Sequence, residues 1–444
     1  MIGIIEALIE IAIKIISEVL AKIAGIAAER ALSTTPQETT TATRQGAQTY
    51  AATCGDDGLD LKRQRLFFSV TFGNYFASLL ESSNTYLEMR GQIHCPAAGK
   101  SNPLEWIYGT LNDAQGFRII AIAAGGGMGK TTLAAKIVRC LYQQNAVDLI
   151  LGDSAKRVEI DPATGKPRPL QPGFKDLDSF YQRLAAQTGL TDYPSKTRWR
   201  TVIPDLRARL AGQRALIVLD NLDTVAQGSE LLGSLQELTN RDVRILLTTR
   251  DANISDRRAV VVNLNPIARG NIPLARSFIT WHITRYQSQN LRLADLMDSL
   301  DDKKLIDQLL AKTGGVPLMI QVVVSKIATE KWGYLNQLPD LLPKELLDFL
   351  YKERWDELSA RGEAGQLAQD LLWYLATIQY EGRKITSEAL REEARLRGKE
   401  TSFSDAMRML GENFLLIDRE PQSQYGNLAI FPSLREFVVN ARRA

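Results

Sequence analysis

The run Ala124-Gly125-Gly126-Gly127-Met128-Gly129-Lys130-Thr131-Thr132 holds the residue types needed to wrap a phosphate chain. Backbone N–H groups can close around several negative charges only where no Cβ intrudes and φ can turn positive, which asks for glycine. A lysine then spans the β- and γ-phosphates, a hydroxyl ligates Mg²⁺, and the following helix adds its dipole. Lys130 and Thr131 fill those two roles, and Gly125, Gly126, Gly127, Met128 and Gly129 make the loop. One position departs from GxxxxGK[ST]: the first glycine is Ala124, which must keep an unstrained backbone. The plainer alternative is a glycine-rich turn that packs a helix on a sheet. The strand RIIAIAA before it, the helical LAAKIVRCLYQQ after it and Lys-Thr-Thr favour phosphate.

Two further strand ends carry charge. ALIVLD ends in Asp220, 90 residues after Lys130. An acid closing a buried apolar strand needs a cation opposite, and phosphate-bound Mg²⁺ would supply it. VRILLTTR ends in Arg250, which could report on a γ-phosphate from a neighbouring strand or be an ordinary surface arginine.

These groups need a scaffold that brings strand ends together. FRIIAIAA (117–124), VDLILGD (147–153), ALIVLD (215–220), VRILLTT (243–249) and VVVNLN (260–265) are short β-branched runs with helical stretches between most of them. Continuous apolar runs alternating with helices predict a parallel sheet covered on both faces, an α/β nucleotide-type domain over 113–268. KRVEIDPATGKPRPLQPGF (156–174) reads as a hairpin or loop insertion. A helical lead-in over 61–112 precedes the sheet, an all-helical segment spans 269–343, and 344–444 holds helices with a short hairpin around EPQSQYGN.

At 444 residues, 45% hydrophobic and 24% charged, the chain is a multi-domain globular protein rather than a single module or a disordered chain. Fifty-four Lys and Arg against 51 Asp and Glu leave a net charge of +3, too small to draw nucleic acid to the whole chain. Cys54, Cys95 and Cys140 are odd in number and widely spaced, which fits a reducing, cytoplasmic setting. His94 and His282 are the only histidines, which rules out a multi-histidine metal centre.

Residues 1–32 stand apart. Glu6, Glu10, Lys14, Glu18 and Lys22 follow one another at intervals of four in a segment otherwise dense in Ile, Ala and Leu. That spacing predicts an amphipathic helix with a wide apolar face. Acids inside the apolar run argue against a signal peptide, and five ionisable groups argue against a lone spanning helix. Residues 33–60, rich in Thr, Gln, Ser and Gly, are expected to tether it flexibly.

Taken as a set, GGGMGKTTLA (125–134), LIVLDNLD (216–223), LLTTR (246–250) and TGGVPLMI (313–320) make residues 85–440 resemble a STAND-class P-loop ATPase of the NB-ARC type, the switch module of plant disease-resistance receptors and the apoptosome scaffold. The resemblance implies a P-loop domain, a helical domain and a winged-helix domain. It places Gly127, Gly129, Lys130, Thr131 and Thr132 on the phosphates, Asp220 on Mg²⁺, Arg250 at the γ-phosphate and Pro317 against the adenine. Arg90 in MRGQI is a weak match to the family's arginine beside the nucleotide opening. Two departures stand out. The family often has a second acid after the metal-side Asp; here Asn221 holds that place, so either Asp223 orients water or hydrolysis is slow. Its winged helix usually presents a histidine to bound ADP; the matching residue here is Phe431.

The resemblance implies a slow ATPase used as a switch, binding ATP or ADP with Mg²⁺ and assembling into a ring-like homo-oligomer on exchange. The helix 1–32 would then be gathered into a bundle that disrupts membranes in defence or cell death, or would dock on a protein partner. A winged-helix transcription regulator is the alternative, but 344–444 holds 15 Lys or Arg against 17 Asp or Glu, so nucleic acid is not an expected partner. Relatives carry a C-terminal repeat sensor; here a sensor is expected on another polypeptide, on a longer form of the chain, or not at all.

Overall fold

The apolar strand runs have side chains suited to a pleated, two-sided interior, and they form one. In a computed structural model, β2 (Ile119–Ala123), β6 (Ala215–Asp220) and β7 (Val243–Thr249) are buried at every position. The structure describes residues 93–94, 103–113 and 116–443, apart from 144–145, 162–164, 191–192, 195–196, 226–227, 252–253, 255–258, 269, 288–290, 331–343, 379–384, 413–414 and 419–426. The amphipathic segment 1–32, the tether 33–60, most of the lead-in 61–112 and Arg90 lie outside the described residues.

With β1 (Ile93–His94), β3 (Leu149–Ser154) and β8 (Ala259–Leu264), the strands make a six-stranded sheet in the order β1-β8-β2-β7-β6-β3. All neighbours are parallel except β1, which runs antiparallel to β8 at the edge. Strand β7 therefore lies between the strand leading into the glycine loop and the strand ending in Asp220, which sets all three carboxyl ends side by side. Ligands of open α/β sheets bind at that edge.

Around the sheet lie α1 (Pro103–Asn112), α2 (Lys130–Gln143), α3 (Leu177–Gln187), α4 (Trp199–Leu210) and α5 (Gly228–Leu238). Helix α3 is fixed at its start by a capping box between Asp176 and Ser179. The 156–174 insertion is a hairpin of β4 (Val158–Ile160) and β5 (Pro167–Pro169), paired antiparallel.

Beyond the sheet the chain is helical, as the periodicity predicts. Helix α6 (Ile272–Tyr286) has Asn271 as its N-cap and Pro273 in its first turn. Helix α7 (Lys303–Thr313) is capped by Asp302 and stops at Gly314 in the left-handed region, and α8 (Pro317–Glu330) opens on its proline. Lys344–Ala360 is one helical rod, α9, in which Asp348–Lys352 takes π-helical bonding. The winged-helix segment continues with α10 (Gly362–Ile378), α11 (Ser387–Leu396), α12 (Phe403–Glu412), the two-stranded β9 (Ile417–Asp418) and β10 (Leu428–Ala429), and α13 (Pro432–Arg443). The chain thus has a P-loop NTPase sheet followed by a helical and a winged-helix segment.

Two apolar clusters hold this together. One lies under the sheet, around Phe174, Phe180, Tyr181 and the inward faces of β2, β6 and β7. The other runs continuously from the helical segment into the winged-helix segment, and it includes Ala124 and Met128 of the glycine loop. Among the described residues no helix is long and apolar enough to cross a membrane.

Candidate functional site: a phosphate loop roofed by the C-terminal helices

Gly127 and Gly129 have φ of 72° and 86°, the left-handed region that only glycine enters without strain. A Cβ on Gly127 would also stand 2.7 Å from Cβ of Leu318. Ala124, in place of the first glycine, keeps a negative φ; Asn221 is the sole non-glycine residue with positive φ among the described residues. Ala124 N donates to Thr249 O on the neighbouring strand at 3.2 Å, so the loop leaves the sheet in register.

Lys130 begins α2 and folds back across the loop, its Nζ donating to the carbonyls of Ala124 (2.8 Å) and Gly125 (2.9 Å). Burial pushes its pKa down to about 7, with Arg250 nearby adding to the shift. An anionic ligand in the loop would oppose both causes. Thr132 lies in the first turn of α2.

On the metal side, Thr131 Oγ1 and Thr248 Oγ1 both donate to Asp220 Oδ1 at 2.7 Å, and Ser154 Oγ donates to Oδ2 at 2.8 Å. Asp220 is 1% exposed. A helix hydroxyl touching a buried carboxylate is a donor set of hard oxygens, which suits Mg²⁺ completed by phosphate and water. Among the described residues no cluster of three or more His, Cys, Asp or Glu could hold a metal ion by itself. The residues present fit a nucleotide with Mg²⁺: a positive-φ glycine loop, a lysine within it and a hydroxyl–carboxylate pair beside it.

Asn221 has φ 64° and ψ 49°, and its N–H donates to Thr248 Oγ1 at 2.8 Å. Asn tolerates this conformation better than most side chains. Asp223, two residues on, has a side chain only 1% exposed and faces arginines. Its Oδ1 accepts from the Arg250 backbone N–H at 2.9 Å, while Oδ2 lies 3.6 Å from Arg250 Nε and 3.7 Å from Arg354 Nη2.

Arg250 reaches out of the sheet. Its guanidinium sits over the Phe349 ring, 5.3 Å from the centroid, and Nη1 donates to Phe349 O at 3.3 Å and approaches Glu353 Oε2 at 3.5 Å. Burial raises the pKa of Glu353 while the Arg250 charge pulls it back.

The C-terminal segments close over the loop. Leu318 N donates to Gly127 O at 3.1 Å, and Phe431 packs so tightly on Gly314 that a Cβ there would lie 2.6 Å from its Cδ1. Tyr351 Oη and Ser433 Oγ share a buried hydrogen bond of 2.6 Å, tying α9 to α13. The enclosed cleft is lined by Gly125, Gly126, Met128 and Arg250 on one side and by Val316, Leu350, Tyr351, Arg354 and Phe431 on the other. The interior volume of this cleft is about 110 Å³. Val316, rather than Pro317 itself, lines the wall; Pro317 starts α8 behind it.

Sequence reasoning singled out Lys130, Thr131, Asp220, Asp223 and Arg250 but missed Ser154 and the hydroxyl role of Thr248. It also missed Arg354, for which a signal existed: Leu346, Leu350, Arg354 and Leu358 recur every fourth residue, so an arginine interrupts a buried leucine stripe.

No protein-family model matches the sequence, and no curated protein matches it. Among solved structures the chain is similar to Drosophila ORC bound to DNA, at 13% identity over 94% of this chain and 99% of that chain, with a TM-score of 0.34. It is similar to the Aeropyrum pernix ORC1 protein in complex with DNA (13%, 82% and 97%, TM-score 0.35). It is also similar to domain III of the Thermotoga maritima replication initiation protein DnaA (12%, 64% and 92%, TM-score 0.28). Overlaps this loose assign no ligand or partner. The P-loop NTPase fold rests on the sheet order, the glycine loop and the Thr131–Asp220 pair.

Proposed function

We propose that the protein is a nucleotide-dependent switch of the NB-ARC/STAND kind, binding ATP or ADP with Mg²⁺ and changing its domain packing with the ligand. The observation that carries this reading is the roof: the loop that would hold the phosphates is hydrogen-bonded to α8 and walled by residues of α9 and by Phe431. A ligand in such a cleft touches helices more than 180 residues downstream of the loop. Coupling of ligand to domain packing is what a switch requires.

In this reading Thr131 Oγ1 and Asp220 would hold Mg²⁺, which would supply neutralisation of phosphate charge. Lys130 exchanges the carbonyls of Ala124 and Gly125 for phosphate oxygens. Glycine N–H groups of the loop and the first turn of α2, with Thr132, orient the phosphates. Arg250 senses the γ-phosphate from its strand end. Val316, Leu350 and Phe431 form an apolar wall for the base. Asp223 is committed to two arginines, which favours slow hydrolysis over an efficient water-orienting role.

Assembly into a ring and deployment of residues 1–32 at a membrane remain parts of the proposal that the resemblance and the charge spacing support. Calorimetric titration of ADP and ATP into the full chain tests the nucleotide reading, and absence of heat together with absence of any thermal shift rejects it. Electron microscopy with a non-hydrolysable ATP analogue tests assembly. Liposome leakage that is identical with and without residues 1–32 rejects the membrane role.

A further inference from the structure

Six residues of the winged-helix segment line the cleft: Leu350, Tyr351, Arg354, Leu415, Leu416 and Phe431. Five present carbon or an engaged hydroxyl, since Tyr351 Oη is bonded to Ser433. Arg354 is the one cation among them, and it is 6% exposed.

Its hydrogen bonding is incomplete. Nη1 donates to Glu357 Oε2 at 2.5 Å. Nη2 is 3.7 Å from Asp223 Oδ2, an ion-pair distance beyond hydrogen-bonding range. Neither Nη2 nor Nε has a hydrogen-bond acceptor among the described residues. Asp223 Oδ2 lies between the two arginines, 3.6 Å from Arg250 Nε and 3.7 Å from Arg354 Nη2, and makes a hydrogen bond to neither. Buried guanidinium donors are rarely left open, and a planar fork of N–H groups matches phosphate oxygens.

We propose that Arg354 is a phosphate-binding residue of this cleft, the group through which the winged-helix segment holds the nucleotide's phosphates. The inference rests on the nucleotide-switch reading and adds the contact by which the last segment feels the ligand. Arg250 and Arg354 then share Asp223 when the phosphate site is empty and divide it when an anion draws Arg354 away. Phe431 and the leucines grip only apolar surface, so Arg354 alone lets this segment distinguish a charged ligand from an uncharged one.

The test titrates MgADP and adenosine into the full-length protein and into Arg354→Gln, Arg354→Lys and Lys130→Ala variants, with thermal melts on each. The expected result is ADP affinity reduced about tenfold or more in Arg354→Gln, adenosine affinity unchanged, and partial recovery in Arg354→Lys. Equal losses for ADP and adenosine would show that Arg354 only shapes the wall, and unchanged ADP affinity would show no contact; either overturns the inference. Should Arg354→Gln fail to fold, the ratio of ADP to adenosine affinity in Arg354→Lys decides, a ratio equal to wild type counting against the proposal. Wild-type protein that binds no ADP overturns the nucleotide reading itself, whereas ADP binding lost in Lys130→Ala but indifferent to Arg354 overturns this inference alone.

Discussion

In the proposed nucleotide site, Lys130 is the residue on which binding should depend most directly. Its ammonium now rests on two carbonyls, so exchanging them for phosphate oxygens gains charge-assisted bonds. Such bonds are worth about 1.5–3 kcal/mol, so Lys130→Ala should weaken ADP binding about 10- to 100-fold, read by calorimetry. Asn221 makes a different prediction, because its φ of 64° is intrinsic to the turn after β6. Asn221→Gly should melt close to wild type, while Asn221→Val should lose about 1–2 kcal/mol, measured by denaturant unfolding. Asp223→Ala leaves Arg250 and Arg354 facing each other without their shared carboxylate. Removing one partner of a buried ion pair costs about 3–5 kcal/mol, so this variant should show a clear loss of stability even if the cleft still binds ligand.

At the scale of elements, the informative contact is Gly127 against α8. Its left-handed φ and the 2.7 Å approach to Leu318 leave no room for a methyl group. Gly127→Ala should lose about 1–2 kcal/mol from backbone strain alone, and should also break the Leu318 N to Gly127 O bond that anchors the helix. Limited proteolysis, compared with wild type, would report the loosening. The strands were legible in the sequence because runs such as IIAIA and ALIVLD are apolar at every position, the pattern of a sheet covered on both faces. The hairpin at 156–174 was legible from its turn residues. The π-helical turn at Asp348–Lys352 was not, since nothing in DFLYK departs from ordinary helical composition; π turns recur at functional sites, and this one carries Phe349 under Arg250 and Leu350 into the cleft. Sequence patterns fix which residues face inward within an element, but not which partner element they meet.

For the molecule as a whole, acid is the sensitive direction. His282 is fully buried in α6, with Nε2 3.0 Å from Ser325 Oγ and Nδ1 lacking a hydrogen bond among the described residues. Burial pushes its pKa down to about 4 from 6.5. The native state therefore resists protonation that the unfolded chain accepts, so stability is full above pH 6.5 and falls as pH drops toward 4. The loss should reach about 2 kcal/mol at pH 5, and a His282→Gln variant should show a shallower slope between pH 7 and 5 in urea unfolding.

Met128 does more in this architecture than line the cleft. It belongs to the glycine loop by sequence, yet its side chain is embedded in the apolar cluster of the C-terminal segments. Repacking that interior at positions outside the cleft lining, for instance by Leu371→Ala or Leu410→Ala, should therefore shorten the lifetime of a nucleotide bound as proposed, visible as faster release of a fluorescent ADP in stopped flow. Tuning how long the ligand dwells would then be open to substitutions that no survey of its direct contacts would flag.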